Sequence, residues 1–234
     1  MIMSRMKNNY EHPYNYVLPH RLPVIIRLDG KAFHTWCKGL DKPFDQSLIE
    51  CLNTSTLNLC EQLDTVQLAY LQSDEISLLL HPYKKLNSEP VYGNKIQKLA
   101  SITASIFTAH FNYLWNIQTE YKSVHKLAYF DSRCFVLPEA EVVNYFIARQ
   151  QDWTRNSIQL LARSLYSHKE LENKNCNELQ ELCFKKGKNW NDLPSYLKRG
   201  RCVIKTKGWV IDHDIPQFTE DRFYIEKYLK TDDY

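Results

Sequence analysis

Long apolar runs are missing from this 234-residue chain. Nothing approaches the ~20 consecutive apolar residues of a membrane helix, and Met1-Ile2-Met3-Ser4-Arg5-Met6-Lys7 lacks the apolar stretch of a secretion signal. No Cys-x-x-Cys pair occurs. The seven cysteines (Cys37, Cys51, Cys60, Cys134, Cys176, Cys183 and Cys202) are odd in number, and several fall on apolar faces of predicted helices. That argues against a disulfide framework and a structural zinc site, and for reduced, mostly buried thiols. There is no P-loop, G-x-G-x-x-G, G-x-S-x-G or H-E-x-x-H motif, no internal repeat and no low-complexity segment. The expectation is a soluble cytoplasmic protein with no membrane partner, whose chemistry is carried by something other than these motifs.

What is present is ordinary core material. Hydrophobic residues make up 44% and charged residues 24%, enough for one large domain or a domain with a helical appendage. The net charge is only +3, so local clusters matter more than the total. Lys185, Lys186, Lys188, Lys198, Arg199, Arg201, Lys205 and Lys207 make the C-terminal third basic. On charge alone this is equally a solvated surface or a face for a polyanion.

Hydrophobic periodicity orders the chain. Residues 22–28 read as a strand and 44–63 as a helix opened at Asp41 or Pro43, with Phe44, Leu48, Leu52, Leu59 and Leu63 at helical spacing. Residues 65–71 and 76–80 read as a hairpin, 81–93 as a loop, 95–115 as a second helix and 129–137 as a fourth strand. The order βαββαβ is the ferredoxin-like or polymerase-palm arrangement, an α+β class. Residues 139–166 follow as one long helix, 176–186 as another, 187–194 as a turn and 201–211 as a hairpin or terminal strand. The last 20 residues show no firm pattern. The division expected is a palm domain over 1–138 and a helical, basic region over 139–234 packed on it.

This order has a chemical consequence. The first and second strands run parallel with the third antiparallel between them, so the exit of strand one and the entry of strand three share an edge. Arg27-Leu28-Asp29-Gly30 ends the first strand, and Gln72-Ser73-Asp74-Glu75 precedes the third. An Asp-Gly after a strand is most often only a turn. With Asp74 opposite, Asp29, the Gly30 carbonyl and Asp74 become a hard-oxygen set suited to Mg²⁺ and substrate phosphates. Glu75, pointing to the other face of its strand, is assigned a supporting role.

Around that edge, the turn Lys31-Ala32-Phe33-His34 can form an amide nest for phosphate oxygens, with Phe33 and Trp36 read as core. Lys95 and Lys98 share a face one turn apart at a helix start, which attracts anions, although such lysines are more often solvated. Arg149, Arg155 and Asn156 in the long helix are candidates for RNA contact, against the plainer reading of an intrahelical pair between Arg149 and Asp152.

Arg27–His34, Lys42-Pro43-Phe44-Asp45, Gln72–Glu75 and Phe130-Asp131-Ser132-Arg133 together resemble the tRNA-His guanylyltransferase superfamily, from about Tyr10 to about Ile204. The resemblance implies a palm enzyme that extends RNA in the 3′→5′ direction, with two Mg²⁺ ions on Asp29, the Gly30 carbonyl and Asp74. It implies nucleotide contacts at Lys31, Ala32, Phe33, His34, Ser73 and Asp45, and a further triphosphate at Lys95 and Lys98. ATP and GTP are the implied substrates and a homotetramer the implied assembly. Members that add guanosine to histidine tRNA carry His-Ile-Asn-Asn-Leu-Tyr-Asn in the long helix. Here that segment is Trp153-Thr154-Arg155-Asn156-Ser157-Ile158-Gln159. Tyr166–Leu171, Asn189–Pro194 and Lys198-Arg199-Gly200 instead look like the guanylyltransferase-like branch, which performs templated addition and repairs truncated tRNA 5′ ends. Arg133, Arg149, Arg155, Asn156, Lys198 and Arg199 are the expected RNA contacts. Two other readings stay open besides addition of the extra guanosine: a palm-type nucleotide cyclase, and a non-catalytic RNA-binding protein.

Overall fold

The computed structural model describes residues 1–85, 87–118 and 126–231. In chain order the elements are α1 (Ile2–Met6), β1 (Val24–Gly30), α2 (Phe33–Trp36), α3 (Gln46–Gln62), β2 (Val66–Gln72), β3 (Glu75–Leu80), α4 (Ile96–Gln118), β4 (Phe130–Val136), α5 (Glu139–Leu165), α6 (His168–Leu171), α7 (Cys176–Lys185), α8 (Ser195–Arg199), β5 (Arg201–Lys205), β6 (Trp209–Asp212) and α9 (Phe223–Glu226). Among the described residues no helix is long and apolar enough to cross a membrane.

The strands form one sheet in the order β4-β1-β3-β2-β5-β6, with every neighbouring pair antiparallel. Its first four strands reproduce the βαββαβ order expected from periodicity, with β3 between β1 and β2. Side chains alternate across the sheet with period two. Ile26, Leu28, Ala69, Leu71 and Leu78 face a core shared with Leu52 and Leu59 of α3 and Phe107 and Phe111 of α4. Ile25, Leu68, Tyr70 and Leu79 face a second core with Val142 and Phe146 of α5. Central strands covered on both faces read as apolar runs rather than alternation, which is why residues 76–80 are hydrophobic except for Ser77, whose buried hydroxyl bonds Tyr145 at 2.8 Å.

Element starts follow local chemistry. α3 opens at Asp45, not at Asp41 or Pro43 as periodicity suggested. The buried Asp45 carboxylate accepts from the Leu48 amide at 3.0 Å and the Asp41 amide at 3.1 Å, and the residue that reaches the N3 amide is the cap. α5 begins after Pro138 with Glu139 and Glu141 in its first turn, where carboxylates complement the helix dipole. All seven cysteines are free thiols.

The hairpin expected over 201–211 is β5–β6. It prolongs the sheet at the edge of β2, pairing Tyr70 with Cys202. The C-terminal residues without a sequence pattern prove structural: Ile215, Phe218, Ile225 and Leu229 are buried in the second core. Gln150 of α5 ties this segment down, accepting from the Phe218 amide (2.8 Å) and donating to the Pro216 carbonyl (3.0 Å). Phe218 is completely buried against Tyr70 and Tyr224. Phe218→Ala should therefore cost about 3–5 kcal/mol, measurable by urea unfolding. A loss below ~1 kcal/mol would mean that the segment is not part of the cooperative core.

Candidate active site

The site is built at one end of β1 and β3. The ladder pairs Leu28 with Ile76 and Gln72 with Glu75, so the exit of β1 adjoins the two-residue turn Ser73-Asp74. Ser73 holds that turn in a left-handed conformation (φ 47°). Gly30 is required there by close approach. A Cβ at Gly30 would stand 2.6 Å from Asp74 Oδ2 and 2.5 Å from the Phe33 ring. Gly30→Ala should displace the Asp74 carboxylate, destabilise the fold by about 1–3 kcal/mol and reduce turnover more than substrate affinity. Full activity in this variant would show that the approach is not needed.

Burial pushes the Asp74 carboxyl up to about 6. The Ser73 hydroxyl and the Asp74 backbone amide counter this by hydrogen bonding, while the negative charges of Asp29 and Glu75 reinforce it. Asp29 and Asp74 thus lie in one electrostatic field. Two carboxylates and a main-chain carbonyl at one edge are hard oxygen donors, and a carboxylate made reluctant to ionise by burial, and further by its acidic neighbours, is relieved by a divalent cation. The residues fit Mg²⁺ on both counts.

The β1–α2 turn is anchored from both sides. The Lys31 amide donates to the Tyr129 carbonyl at 2.8 Å, so it is already used. Ala32 is left-handed (φ 51°), and its carbonyl accepts from the amides of Thr35 (2.9 Å) and Trp36 (3.2 Å). Phe33 stacks on Trp36 at 4.8 Å and meets Phe111 and Phe130, as expected of core residues. Lys31 and His34 stay exposed.

Beside the edge lies a cavity of about 520 Å³. It brings together five predicted residues, Phe33, His34, Asp45, Ser73 and Asp74, with a largely apolar wall that includes Leu48 and Leu52. Three further lining residues, Trp153, Arg163 and Arg201, were not anticipated for this site. They arrive from α5 and β5, and no local pattern in those segments points to a cavity formed with α3.

The opposite side of the edge is a charge network. Asp29 has Arg133 at 3.8 Å and Arg27 at 4.0 Å. Asp131 pairs with Asp29 in the β1–β4 register and lies 3.4 Å from Arg133, a third carboxylate that the sequence reading left out of the site. Its signal was its place in Phe130-Asp131-Ser132-Arg133. Buried Glu75 binds Arg27 at 3.3 Å, Arg149 at 3.1 Å and the Gln72 amide group at 2.9 Å, in keeping with its supporting role.

The six residues expected to meet RNA are differently placed. Arg149 joins Glu75 and Asp152, and Asp152 also engages Arg155 and Asn156. The helical pair between Arg149 and Asp152 is present at 3.7 Å, with Glu75 as a second partner of Arg149. Arg133 is 55% exposed at the edge itself. Lys198 donates to the Asn191 carbonyl and covers the Trp190 ring, while Arg199 reaches the Ile215 carbonyl. Lys95 and Lys98 are not brought to the carboxylate edge of their own chain. In α4, Asn112 bonds Ala128 and Thr103 bonds Ser132, whereas Lys95 lies roughly 12 Å further back along the axis, toward the Val24 and Val136 end.

A six-stranded antiparallel sheet flanked by helices, with two carboxylates at one edge and a cavity large enough for a nucleotide beside it, is an α+β fold suited to a nucleotidyltransferase. The chain belongs to the tRNAHis guanylyltransferase family, whose model matches residues 3–138. It is similar to a bacterial tRNA(His) guanylyltransferase (Thg1)-like protein solved in complex with ATP: TM-score 0.94, 44% identity, covering 98% of this chain and 99% of that one. It is also similar to a bacterial tRNA(His) guanylyltransferase (Thg1)-like protein in complex with GTP: TM-score 0.85, 41% identity, covering 98% of this chain and 99% of that one. The tRNA(His) guanylyltransferase of Saccharomyces cerevisiae is 29% identical over 215 residues, 85% of this chain and 88% of the yeast protein.

Proposed function

We propose that this nucleotidyltransferase is Mg²⁺-dependent and extends tRNA at its 5′ end in the 3′→5′ direction, copying a template and so repairing truncated ends. The observation that carries the repair reading is Trp153–Gln159 on α5, which departs from the His-Ile-Asn-Asn-Leu-Tyr-Asn of histidine-tRNA enzymes. The 44% identity to the bacterial guanylyltransferase-like protein, against 29% to the yeast enzyme, supports it.

The reaction has two displacements. An oxygen of the tRNA 5′-monophosphate attacks the α-phosphorus of ATP. A P–O bond forms, the bond to the β-phosphate breaks, and pyrophosphate leaves. The 3′-hydroxyl of an incoming nucleotide then loses its proton and attacks the activated 5′ phosphorus, with AMP leaving. Bound at Asp29, the Gly30 carbonyl and Asp74, two Mg²⁺ ions would neutralise phosphate charge and lower the pKa of the attacking hydroxyl. The chain positions everything else. Lys31 and His34 offer donors to phosphate oxygens, with the amides of Ala32, Phe33 and His34. Ser73 orients Asp74, Asp45 fixes the wall near the base, and Phe33 holds the turn against the core. Arg133, Arg155, Lys198 and Arg199 meet the RNA backbone, while Arg149 and Asn156 support that face.

In this reading residues 1–138 act as the palm and 139–234 as the region that presents RNA. Lys95 and Lys98 lie away from their own edge, so they bind a triphosphate held by another copy, in keeping with a homotetramer. A second reading, addition of guanosine to histidine tRNA, is favoured by the family match itself.

The test is extension of a tRNA lacking its first 5′ nucleotide, in parallel with histidine tRNA, using ATP, GTP and Mg²⁺. Templated growth on the truncated tRNA supports repair. Growth on histidine tRNA alone moves the second reading forward, and growth on neither sinks both.

A further inference from the structure

One face of the sheet lies open beside Asp29. β4 is an edge strand, and its side chains alternate between two faces. Phe130 and Ser132 turn to α4, where they meet Phe107 and Thr103. Tyr129, Asp131, Arg133 and Phe135 turn the other way. On that side α5 reaches Phe135 through Tyr145, with the rings 5.7 Å apart. Beyond Phe135, the residues Arg133, Asp131 and Tyr129 are all exposed. Tyr129 stands two residues past the Asp29–Asp131 pair and is 56% exposed. Its backbone is nonetheless fixed. The Tyr129 carbonyl accepts from the Lys31 amide at 2.8 Å, and Asn112 of α4 bonds both the amide and the carbonyl of Ala128, at 2.8 and 2.9 Å. The ring is thus held in place without being used by the core.

Ladder geometry sets Tyr129 about 7–8 Å diagonally from Asp29, within a nucleotide's reach of metal ions bound there. The cavity that takes a nucleotide lies on the α3 side of the edge, with Phe33, Ser73 and Asp74. Tyr129 flanks Asp29 on the side away from it, where Arg27 and Arg133 supply positive charge for phosphates. The function proposed above needs an RNA 5′ end at this edge, and a templated enzyme must accept whichever base ends it. Hydrogen bonds to base edges read sequence. Stacking on an aromatic ring does not, because every base has a π-face. We propose that Tyr129 stacks on the 5′-terminal base of the RNA and so holds the 5′ phosphate beside Asp29 while ATP activates it. The inference rests on the 5′-extension reading and names a residue that grips the RNA end without reading its sequence.

The experiment isolates the first displacement: adenylylation of a 5′-monophosphorylated, truncated tRNA with ATP and Mg²⁺, on a template that does not call for adenosine. The full chain is compared with Tyr129→Ala, Tyr129→Trp and Tyr129→Leu. The RNAs end in A, C, G or U, or in a 5′-terminal nucleotide that carries no base. Tyr129→Ala should raise the half-saturating concentration of every base-bearing RNA roughly tenfold, with the maximal rate within about twofold and the salt slope unchanged. Tyr129→Trp should restore the parent behaviour and Tyr129→Leu should not. On the RNA without a terminal base, the parent and Tyr129→Ala should not differ. An unchanged half-saturating concentration in Tyr129→Ala, or an equal rise on the baseless RNA, overturns the stacking and leaves the 5′-extension reading standing. Adenylylation of no RNA by the parent protein overturns that reading and the inference with it.

Discussion

Asp74→Asn should abolish nucleotidyl transfer and, at the same time, make the metal-free protein more stable. The catalytic loss follows from the role proposed for the carboxylate edge. Removing one of two charges that hold Mg²⁺ forfeits several kcal/mol of transition-state stabilisation, a fall of ~10³-fold or more. The gain in stability follows from burial. Asp74 is held up to about 6, above the ~3.9 of an unfolded aspartate. A carboxyl whose pKa is raised on folding takes up a proton as the chain folds. Its ionised form therefore opposes folding fully above about pH 6, and that cost is relieved as pH falls from 6 towards 4. A two-unit shift corresponds to about 2–3 kcal/mol, and asparagine removes it. Near pH 7.5, in chelator, Asp74→Asn should melt several degrees higher than the parent, and the difference should shrink at pH 5. A variant that melts lower at pH 7.5 would show that the Asp74 charge is compensated within the protein. Retained turnover would remove Asp74 from the mechanism.

Arg149→Ala is expected to behave as a stability mutant and not as an RNA-contact mutant. Burial pulls the Arg149 guanidinium down, but Glu75 and Asp152 outweigh it and leave the group above its ordinary value. Its side chain is 21% exposed and that of Glu75 11%, so truncation leaves a buried carboxylate short of a partner. The expected loss is about 2–3 kcal/mol, below that of a fully buried pair because water reaches part of the network. Arg133→Ala is the contrasting variant. Arg133 is 55% exposed beside Asp29 and Asp131, so its removal should change stability little and reduce the salt dependence of tRNA binding by about one unit of slope. The same slope change from Arg149→Ala, with unaltered stability, would place Arg149 at the RNA interface.

These expectations mark where the sequence was sufficient. Apolar periodicity placed the strands and helices because each element must turn one face to a core, and that demand is local. The βαββαβ order then put Asp29 and Asp74 at one edge, since strand direction alternates with connection type and leaves few alternatives. Even Glu75 could be set on the other face by counting residues along a strand. Tertiary structure decided what depends on partners remote in the chain. Arg149 is an internal ion-pair partner because β3 delivers Glu75 to it, and Lys95 and Lys98 lie at the far end of α4 because that helix runs toward the carboxylate edge and not away from it. Arg201 and Trp153 meet in one wall only because β5 extends the sheet beside α3 while α5 crosses behind it. Ile215, Phe218, Tyr224, Ile225 and Leu229, in a segment patternless when read alone, are core because the face that needed covering belongs to β1, β2, β3 and α5. Periodicity records that a side chain is buried. Which charge, ring or cavity it is buried against is settled by the packing of distant segments.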